Sequence, residues 1–552
     1  MVVEFETRDA RAHGALLRAY ETELARGRTA LGAADVPPLV VHEHKAGLIV
    51  GYPAVIDTML AMAELSEWAG KSACSIALGQ GALSIESVLP VLSSMVAAQD
   101  NPGLRALVAE AQRRGLPLLW DDALVTVGTG RASVSFEIAK VPAVAAVPWD
   151  TLGRIPVALV TGTNGKTTSS RWLSHVCTAA GYGVGTTSTD GVIIRGVLHD
   201  EGDWTGPAGA RVVLRSPEVD LAVLETARGG ILRRGLAVDD VHAALITNVS
   251  ADHFGAYGID DVPGMVRAKG VVAHAVRSDG AVVLNAGDQG LVALSNSVRG
   301  NVVFFADVDG GANKGAAVAE AHVAAGGTAW LAKEGRIVRA SPQGSQDIAA
   351  VNALPLTFGG RARYNVENAL GVAAVAHALG VSDTNIAKSL GTFGMAQNPG
   401  RGQLVTVDGV RVLIDFGHNP EGVRGLLDLV AGLRSDTGGQ LFVITGAAGD
   451  RSNGDIFSLC EVLLKAAPAK ILVRELGGYL RGRAPGEVPQ AFLRALEAQG
   501  YPTASVSIAA SEVDALRDCL TLARRGDVVT LLVHVDRNDV ASFLASRATP
   551  ET

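Results

Sequence analysis

Residues 155–181, IPVALVTGTNGKTTSSRWLSHVCTAAG, confine this chain to a small set of folds. An apolar strand-like run ends at Val160 and a short glycine turn follows. Lys166 then opens a helical pattern with Trp172, Leu173, Val176, Cys177 and Ala180 on one side, stopped by Gly181. Strand, glycine turn and helix N-terminus in that order aim backbone N–H groups and a helix dipole at an anion, phosphate above all. In the common phosphate-loop spacing a glycine stands five places before the Gly-Lys pair; here that place is Val160, and the upstream glycine is Gly162. The short loop still supplies the chemistry: Gly162, Thr163, Asn164, Gly165 and Thr168 surround a phosphate site, Lys166 reaches the terminal phosphates and Thr167 binds Mg²⁺.

The rest of the chain suits that fold. From about 155 to 395, IPVALV, VDLAVLE, HAALITNVS and GAVVLN alternate with helical patterns, as parallel strands of a doubly wound sheet do, and such sheets bind ligands at the strands' carboxyl ends. From about 398 a hairpin signal, LVTVDGVRVLIDF, precedes LFVIT, KILVREL and DVVTLLV, a second, Rossmann-like α/β domain. Residues 1 to about 150 mix helices with short strands, an α+β domain: ALLRAYETELARG reads as a helix ending at its glycine, and LRALVAEAQRRGLPLLW as a helix followed by a strand. KVPAVAAVPWDTLGRIP reads as a linker. The expected division is 1–150, 151–395 and 396–552, since 552 residues exceed what one core organises.

A chain 48% hydrophobic and 19% charged is an α/β enzyme's composition, not a disordered protein's. Its net charge of −8, without basic runs, gives no footprint for nucleic acid and leaves small molecules or peptides as partners. Four scattered cysteines, no apolar stretch of about 18 residues and a charged N-terminus lead us to expect a cytoplasmic protein without membrane association.

Glu225 ends the strand pattern VDLAVLE, where a carboxylate can share Mg²⁺ with Thr167; the alternative is a surface glutamate. ITNVSADHFG ends another strand with Asp252 and His253, and a lone histidine there is more often structural than catalytic. Together TGTNGKTT, LETARGG, TNVSADH, Lys269 in VRAKGVV, YNVENALGVAAVAHALGV, NPGRGQ and DFGHNP resemble, in order and spacing, the Mur ligase family, whose loop has this shorter form. The likeness covers roughly residues 155–540. STDGVIIRG, GDWTGPAGA, LETARGGILRRGL, GAAGDRSNGDI and LRGRAPGE resemble the ligase half of the cyanophycin synthetases in particular, and NPGLRALVAEAQRRGLPLL with VTVGTGR resembles the end of their N-terminal domain. The ATP-grasp domain that those enzymes carry between the two parts is replaced here by about 25 linker-like residues.

The resemblance implies an ATP-dependent ligase that phosphorylates a carboxylate and lets an amine attack the acyl phosphate. It implies catalytic roles for Lys166, His253 and Lys269, a first Mg²⁺ on Thr167 and Glu225, and a second ion at His253. Lys269 matches a lysine carbamylated in many relatives, which would make it an anionic ligand; an unmodified surface lysine is the alternative. Asn365 and Asn368 match positions near adenine, with helix capping an alternative for Asn365. Arg401 and Asp415 match contacts to phosphate and ribose. Thr186, Thr187, Thr189, Asp190, Arg228, His418, Asn419, Arg451, Arg481 and Arg483 are the expected substrate contacts, because arginines read carboxylates bidentately; a solvated surface is the alternative for Arg481 and Arg483. The implied substrates are amino acids or peptides, the implied assembly is a homo-oligomer, and a separate ATP-grasp enzyme could act alongside. A cell-wall or folate-type ligase and a non-catalytic nucleotide-binding scaffold are the competing readings.

Overall fold

The computed structural model describes residues 1–552 apart from 8, 34–36, 45–46, 253, 256, 311–314, 546, 548 and 551–552. The chain forms two compact units, Met1–Arg154 with Phe254–Asp260, and Ile155–His253 with Asp261–Thr552.

In the first unit the antiparallel strands β1 (Val2–Glu6), β2 (Val40–His44) and β3 (Gly47–Gly51) lie in the order β1-β3-β2. They pack on helices His13–Ala30 and Met59–Ala77 around Phe5, Tyr20, Leu24, Leu65 and Trp68. The first helix does not end at Gly27 as the sequence suggests. It runs on because Gly27 is a close-packing point: a Cβ there would lie 2.3 Å from Leu65 Cδ1. A second sheet, β4 (Leu118–Trp120), β5 (Leu124–Val127) and β6 (Val134–Glu137), covers the helix Pro102–Arg113. The proline-rich run read as a linker belongs to this unit. Val147 is 5% exposed in its core, and Trp149 packs there with its indole N–H donated to Val144 O.

The second unit holds two sheets. Strands β7 (Val157–Thr161), β8 (Val184–Ser188), β9 (Gly191–Ile194), β10 (Val197–Glu201), β11 (Leu221–Glu225), β12 (Val241–Ile246), β13 (Val276–Asn285), β14 (Asn301–Asp307), β15 (Thr328–Lys333), β16 (Arg336–Ser341) and β17 (Gly344–Ala350) lie in the order β10-β9-β8-β11-β7-β12-β13-β14-β15-β16-β17. From β8 to β15 neighbours are parallel, and antiparallel strands extend both edges. Strands β18 (Gln403–Val407), β19 (Val410–Asp415), β20 (Leu441–Thr445), β21 (Lys470–Arg474), β22 (Val506–Ala509), β23 (Val528–Leu532) and β24 (Thr549–Pro550) form the other sheet, β22-β21-β20-β23-β19-β18-β24. The Asp408-Gly409 turn joins β18 to β19 with φ of +51° and +83°, the two positive values that a tight hairpin demands.

In the helix Arg363–Ala378 the stretch Ala369–Ala376 is apolar on every side because the sheet and the helix Lys166–Ala179 enclose it. Trp172, fully buried, stacks on Phe393 with ring centroids 5.1 Å apart. Trp172→Ala is expected to cost about 3–5 kcal/mol in denaturant unfolding, as buried aromatic truncations do.

Candidate active site

Two glycines shape the phosphate loop. Gly162 has φ +151° and Gly165 +84°; a Cβ on the first would sit 1.9 Å from Thr247 Oγ1 and on the second 2.2 Å from Asn368 Oδ1. The segment after β12 holds the loop from beneath. Thr163 N–H donates to Asn248 O (2.8 Å), Asn164 N–H to Asn248 Oδ1 (2.9 Å) and Thr247 Oγ1 to Asn164 O (2.6 Å). Val160, where the common motif has glycine, is a fully buried strand residue paired with Glu225 on β11 and Leu245 on β12. That register sets Glu225 beside the loop.

Around the loop the charges are dense and dry. Lys166 Nζ donates to Gly162 O and Thr163 O, both at 3.0 Å, and burial lowers its pKa against the pull of Glu225 and Asp252. Thr167 Oγ1 donates to Glu225 Oε1 at 3.1 Å. Glu225 is 2% exposed and its Oε2 has no hydrogen-bond partner among the described residues; burial pushes the carboxyl up, opposed by Lys166 and Arg401. Such an orphaned oxygen beside a hydroxyl suits a hard cation that takes oxygen ligands. Lys269 Nζ donates to Gly162 O at 2.7 Å; burial and then nearby Lys166 hold its pKa well below the usual amine range. It is no surface lysine. His253 lies outside the described residues. The neighbouring Asp252 receives Arg451 Nη1 on Oδ1 at 2.7 Å, with His418 Nε2 3.7 Å from Oδ2.

The loop opens on a cavity of about 1250 Å³ bounded by both sheets' carboxyl ends. Asn368, Thr189, Arg401, Asp415 and His418 line it. Arg401 stacks over Phe416, 4.6 Å from guanidinium carbon to ring centroid, and Asp415 Oδ2 accepts Gly402 N–H at 2.7 Å. Asn368 Nδ2 donates to Asn365 Oδ1 (3.1 Å), and Asn365 Nδ2 to Leu356 O (2.9 Å). Asn365 therefore braces Asn368 and is not the helix cap, a position held by Ala362.

The substrate contacts divide. Thr186 and Thr187 are buried and commit their hydroxyls to β11, to Val223 O at 2.8 Å and Glu225 O at 3.4 Å, so the structure does not bring them to the cavity. Asp190 is clamped between Arg171 and Arg537, the latter at 2.5 Å. Asn419 caps the helix Pro420–Ser435 and forms a two-way amide pair with Asn164, at 2.9 and 3.2 Å. Arg228 opens the helix Arg228–Arg234. Arg483 ties down the 449–453 loop through Gly449 O and Asn453 Oδ1, each at 2.9 Å. Arg481 pairs with Asp450 near the surface. Sequence reasoning missed Arg171, Arg537 and Asn398. Asn398 Oδ1 accepts Arg171 Nη1 at 3.0 Å while its Nδ2 reaches Thr168 Oγ1 at 3.3 Å. It stands in the NPGRGQ motif; Arg537 carried no signal.

The fold and site define an α/β phosphate-loop protein with a second α/β domain facing its loop. Residues 160–376 match the Mur ligase middle domain and residues 400–532 the glutamate ligase domain of Mur ligases. The chain belongs to the Mur ligase family. It is 35% identical over 387 residues to cyanophycin synthetase from Nostoc sp., covering 70% of this chain and 42% of that protein. It is 28% identical over 378 residues to UDP-N-acetylmuramyl-tripeptide synthetase from Deinococcus radiodurans, covering 67% and 69%. The chain thus spans less than half the length of the cyanophycin synthetases it matches. Among solved structures, E. coli FolC in complex with DHPP and ADP shares the fold, with TM-score 0.50, 19% identity and coverage of 71% of this chain and 89% of that one. Among the described residues no helix is long and apolar enough to cross a membrane.

Proposed function

We propose that the chain is an ATP-dependent amide ligase that joins an amino acid to an amino-acid or peptide carboxylate and releases ADP and phosphate. One observation carries the reading: the orphaned Glu225 oxygen beside Thr167 and Lys166, at the mouth of a cavity large enough for nucleotide and substrate together. The relatives' names, cyanophycin synthetase and UDP-N-acetylmuramyl-tripeptide synthetase, support it. The substrate carboxylate takes the γ-phosphoryl group of ATP to form an acyl phosphate. The amine then attacks that carbonyl carbon, phosphate leaves and a proton is released from nitrogen.

Lys166 neutralises the charge of the transferring phosphoryl group, while the loop's N–H groups hold the nucleotide phosphates. Thr167 and Glu225 would hold Mg²⁺, whose chemistry is charge neutralisation across phosphate oxygens, and His253 with Lys269 would serve a second ion. Burial disfavours the charge of Lys269, and the neutral form of such an amine can add CO₂ and release a proton to become a carbamate. Incubation with ¹³C-bicarbonate is expected to give a carbamate carbon resonance that Lys269→Ala lacks; its absence from the wild type removes this step. Arg401 and Asp415 would approach the nucleotide from the C-terminal sheet, and Asn368 lines the cavity beside Gly165 of the loop. The Asn164–Asn419 and Asp252–Arg451 contacts join the two domains around the site and help exclude the water that would hydrolyse an acyl phosphate. Thr189 and His418, which line the cavity, are the substrate contacts this geometry favours. Met1–Arg154 belong to the first unit and β7 begins at Val157, so one ligation chemistry, not two, is proposed for residues 1–552.

The test is ATP, Mg²⁺ and a panel of amino acids and dipeptides, with ADP and product mass measured. A matching pair should stimulate ADP release and yield a product one water lighter than the sum. If no carboxylate–amine pair does so, the proposed substrate class is wrong.

A further inference from the structure

The cavity has a carboxyl group for which the ligation chemistry has no use. Glu367 lines the cavity from the helix Arg363–Ala378, beside Asn368. Its Oε2 accepts a hydrogen bond from Asn285 Nδ2 at 3.2 Å. Asn285 is itself fixed at the end of β13: Nδ2 also donates to Thr247 O (3.2 Å), and Oδ1 accepts Gly287 N–H (2.9 Å). Oε2 therefore stays an acceptor whatever the charge on Glu367, and Oε1 is the atom that gains or loses a proton. Strands β13 and β14 lie two and three places along the sheet from the phosphate loop's β7. At ~4.8 Å per strand those strand ends lie on the order of 10–15 Å from β7, and Glu367 meets the nearer of them through Asn285.

We infer that Glu367 contacts the purine base and that its neutral form selects adenine over guanine, an assignment that rests on the nucleotide reading above. A neutral carboxyl offers one donor, Oε1–H, beside one acceptor, Oε2. Adenine presents the complement, the N1 lone pair beside the N6 amine. Ionised, the group can only accept; it then complements the adjacent N1–H and N2 amine of guanine and sets a negative charge against the adenine N1 lone pair. The surroundings keep both forms within reach. Burial, then Asp307 at the end of β14, then Glu421 on the helix Pro420–Ser435 raise the carboxyl to about 7, opposed by the Asn285 hydrogen bond and by Arg363. Arg363 is itself engaged by Asp307, Nε to Oδ2 at 2.6 Å, and Arg424 lines the cavity from the same helix as Glu421.

Calorimetric titration of Mg-ATP and Mg-GTP into the full chain and into Glu367→Gln, between about pH 6 and about pH 8.5, tests this on either side of the Glu367 midpoint. The wild-type Kd for ATP should rise about threefold to tenfold across that range while that for GTP falls. Buffers of different ionisation enthalpy should show proton uptake on ATP binding beyond that of the variant, a comparison that removes the nucleotide's own titration. Gln keeps one donor and one acceptor, so the variant should hold ATP at the low-pH affinity throughout. Identical pH profiles in the two proteins overturn the inference. If the variant does not fold, a wild-type ATP affinity flat with pH overturns it alone. Failure of the wild type to bind either nucleotide at any pH overturns the nucleotide reading itself, and the base contact with it.

Discussion

Lys166→Ala is expected to lower substrate-stimulated ADP release by about 10²–10³-fold or more while leaving the protein folded. The ammonium group has no packing duty that alanine would leave exposed: its hydrogen bonds are to two loop carbonyls, Gly162 O and Thr163 O, at 3.0 Å. Burial already disfavours its charge, with Glu225 and Asp252 as the compensating anions. A lysine held half-buried against the desolvation cost of its charge is useful where more negative charge arrives, as it does on the transferring phosphoryl group. The measurement is steady-state ADP release at saturating ATP and co-substrates, beside a thermal melt. Turnover equal to the wild type would remove the ligase reading. A lost melt would move the test to Lys166→Met, which keeps the stem's volume without the charge.

How far such a site is legible in sequence depends on whether contacts are local. The loop, its strand and its helix are contiguous, so TGTNGKTT alone placed Lys166 and Thr167. Glu225 was legible because a strand's end is a position that sequence can mark; its pairing with Val160 was not, since β11 is far from β7 along the chain. Thr186 and Thr187 looked like ligand contacts because small polar residues follow the loop helix. Only the sheet order, with β11 next to β8, shows where their hydroxyls go. Asp190 needed Arg537, which is 347 residues away and marked by no motif. The domain-closing ion pairs are long-range facts of this kind. Gly27 taught the reverse lesson: a glycine in a helical pattern read as a stop, whereas the neighbouring Leu65 makes it a point of close approach.

Glu225→Gln should separate function from stability. In the native state burial outweighs the attraction of Lys166 and Arg401, so the Glu225 pKa lies above its unfolded value. The folded protein therefore binds more protons than the unfolded chain between the two pKa values, and stability falls as pH rises through that window. Above its raised folded-state pKa the nucleotide-free wild type carries the whole cost of an ionised, half-unsatisfied carboxylate. Gln keeps an oxygen for Thr167 Oγ1 without that charge, so the nucleotide-free variant should melt higher than the wild type at pH 7–8, the gap narrowing as pH falls toward the carboxylate range. With Mg-ATP the order should reverse. The carboxylate that burdens the empty site is the group that would hold the cation; the variant should lose most of the Mg²⁺-dependent rise in melting temperature and about 10²–10³-fold in turnover. Melts across pH, with and without Mg²⁺ and ATP, read both effects. A variant that melts lower than the wild type without nucleotide would show that the Thr167–Glu225 contact is a stabilising one. A variant that keeps the full Mg-ATP stabilisation would take Glu225 out of the metal site.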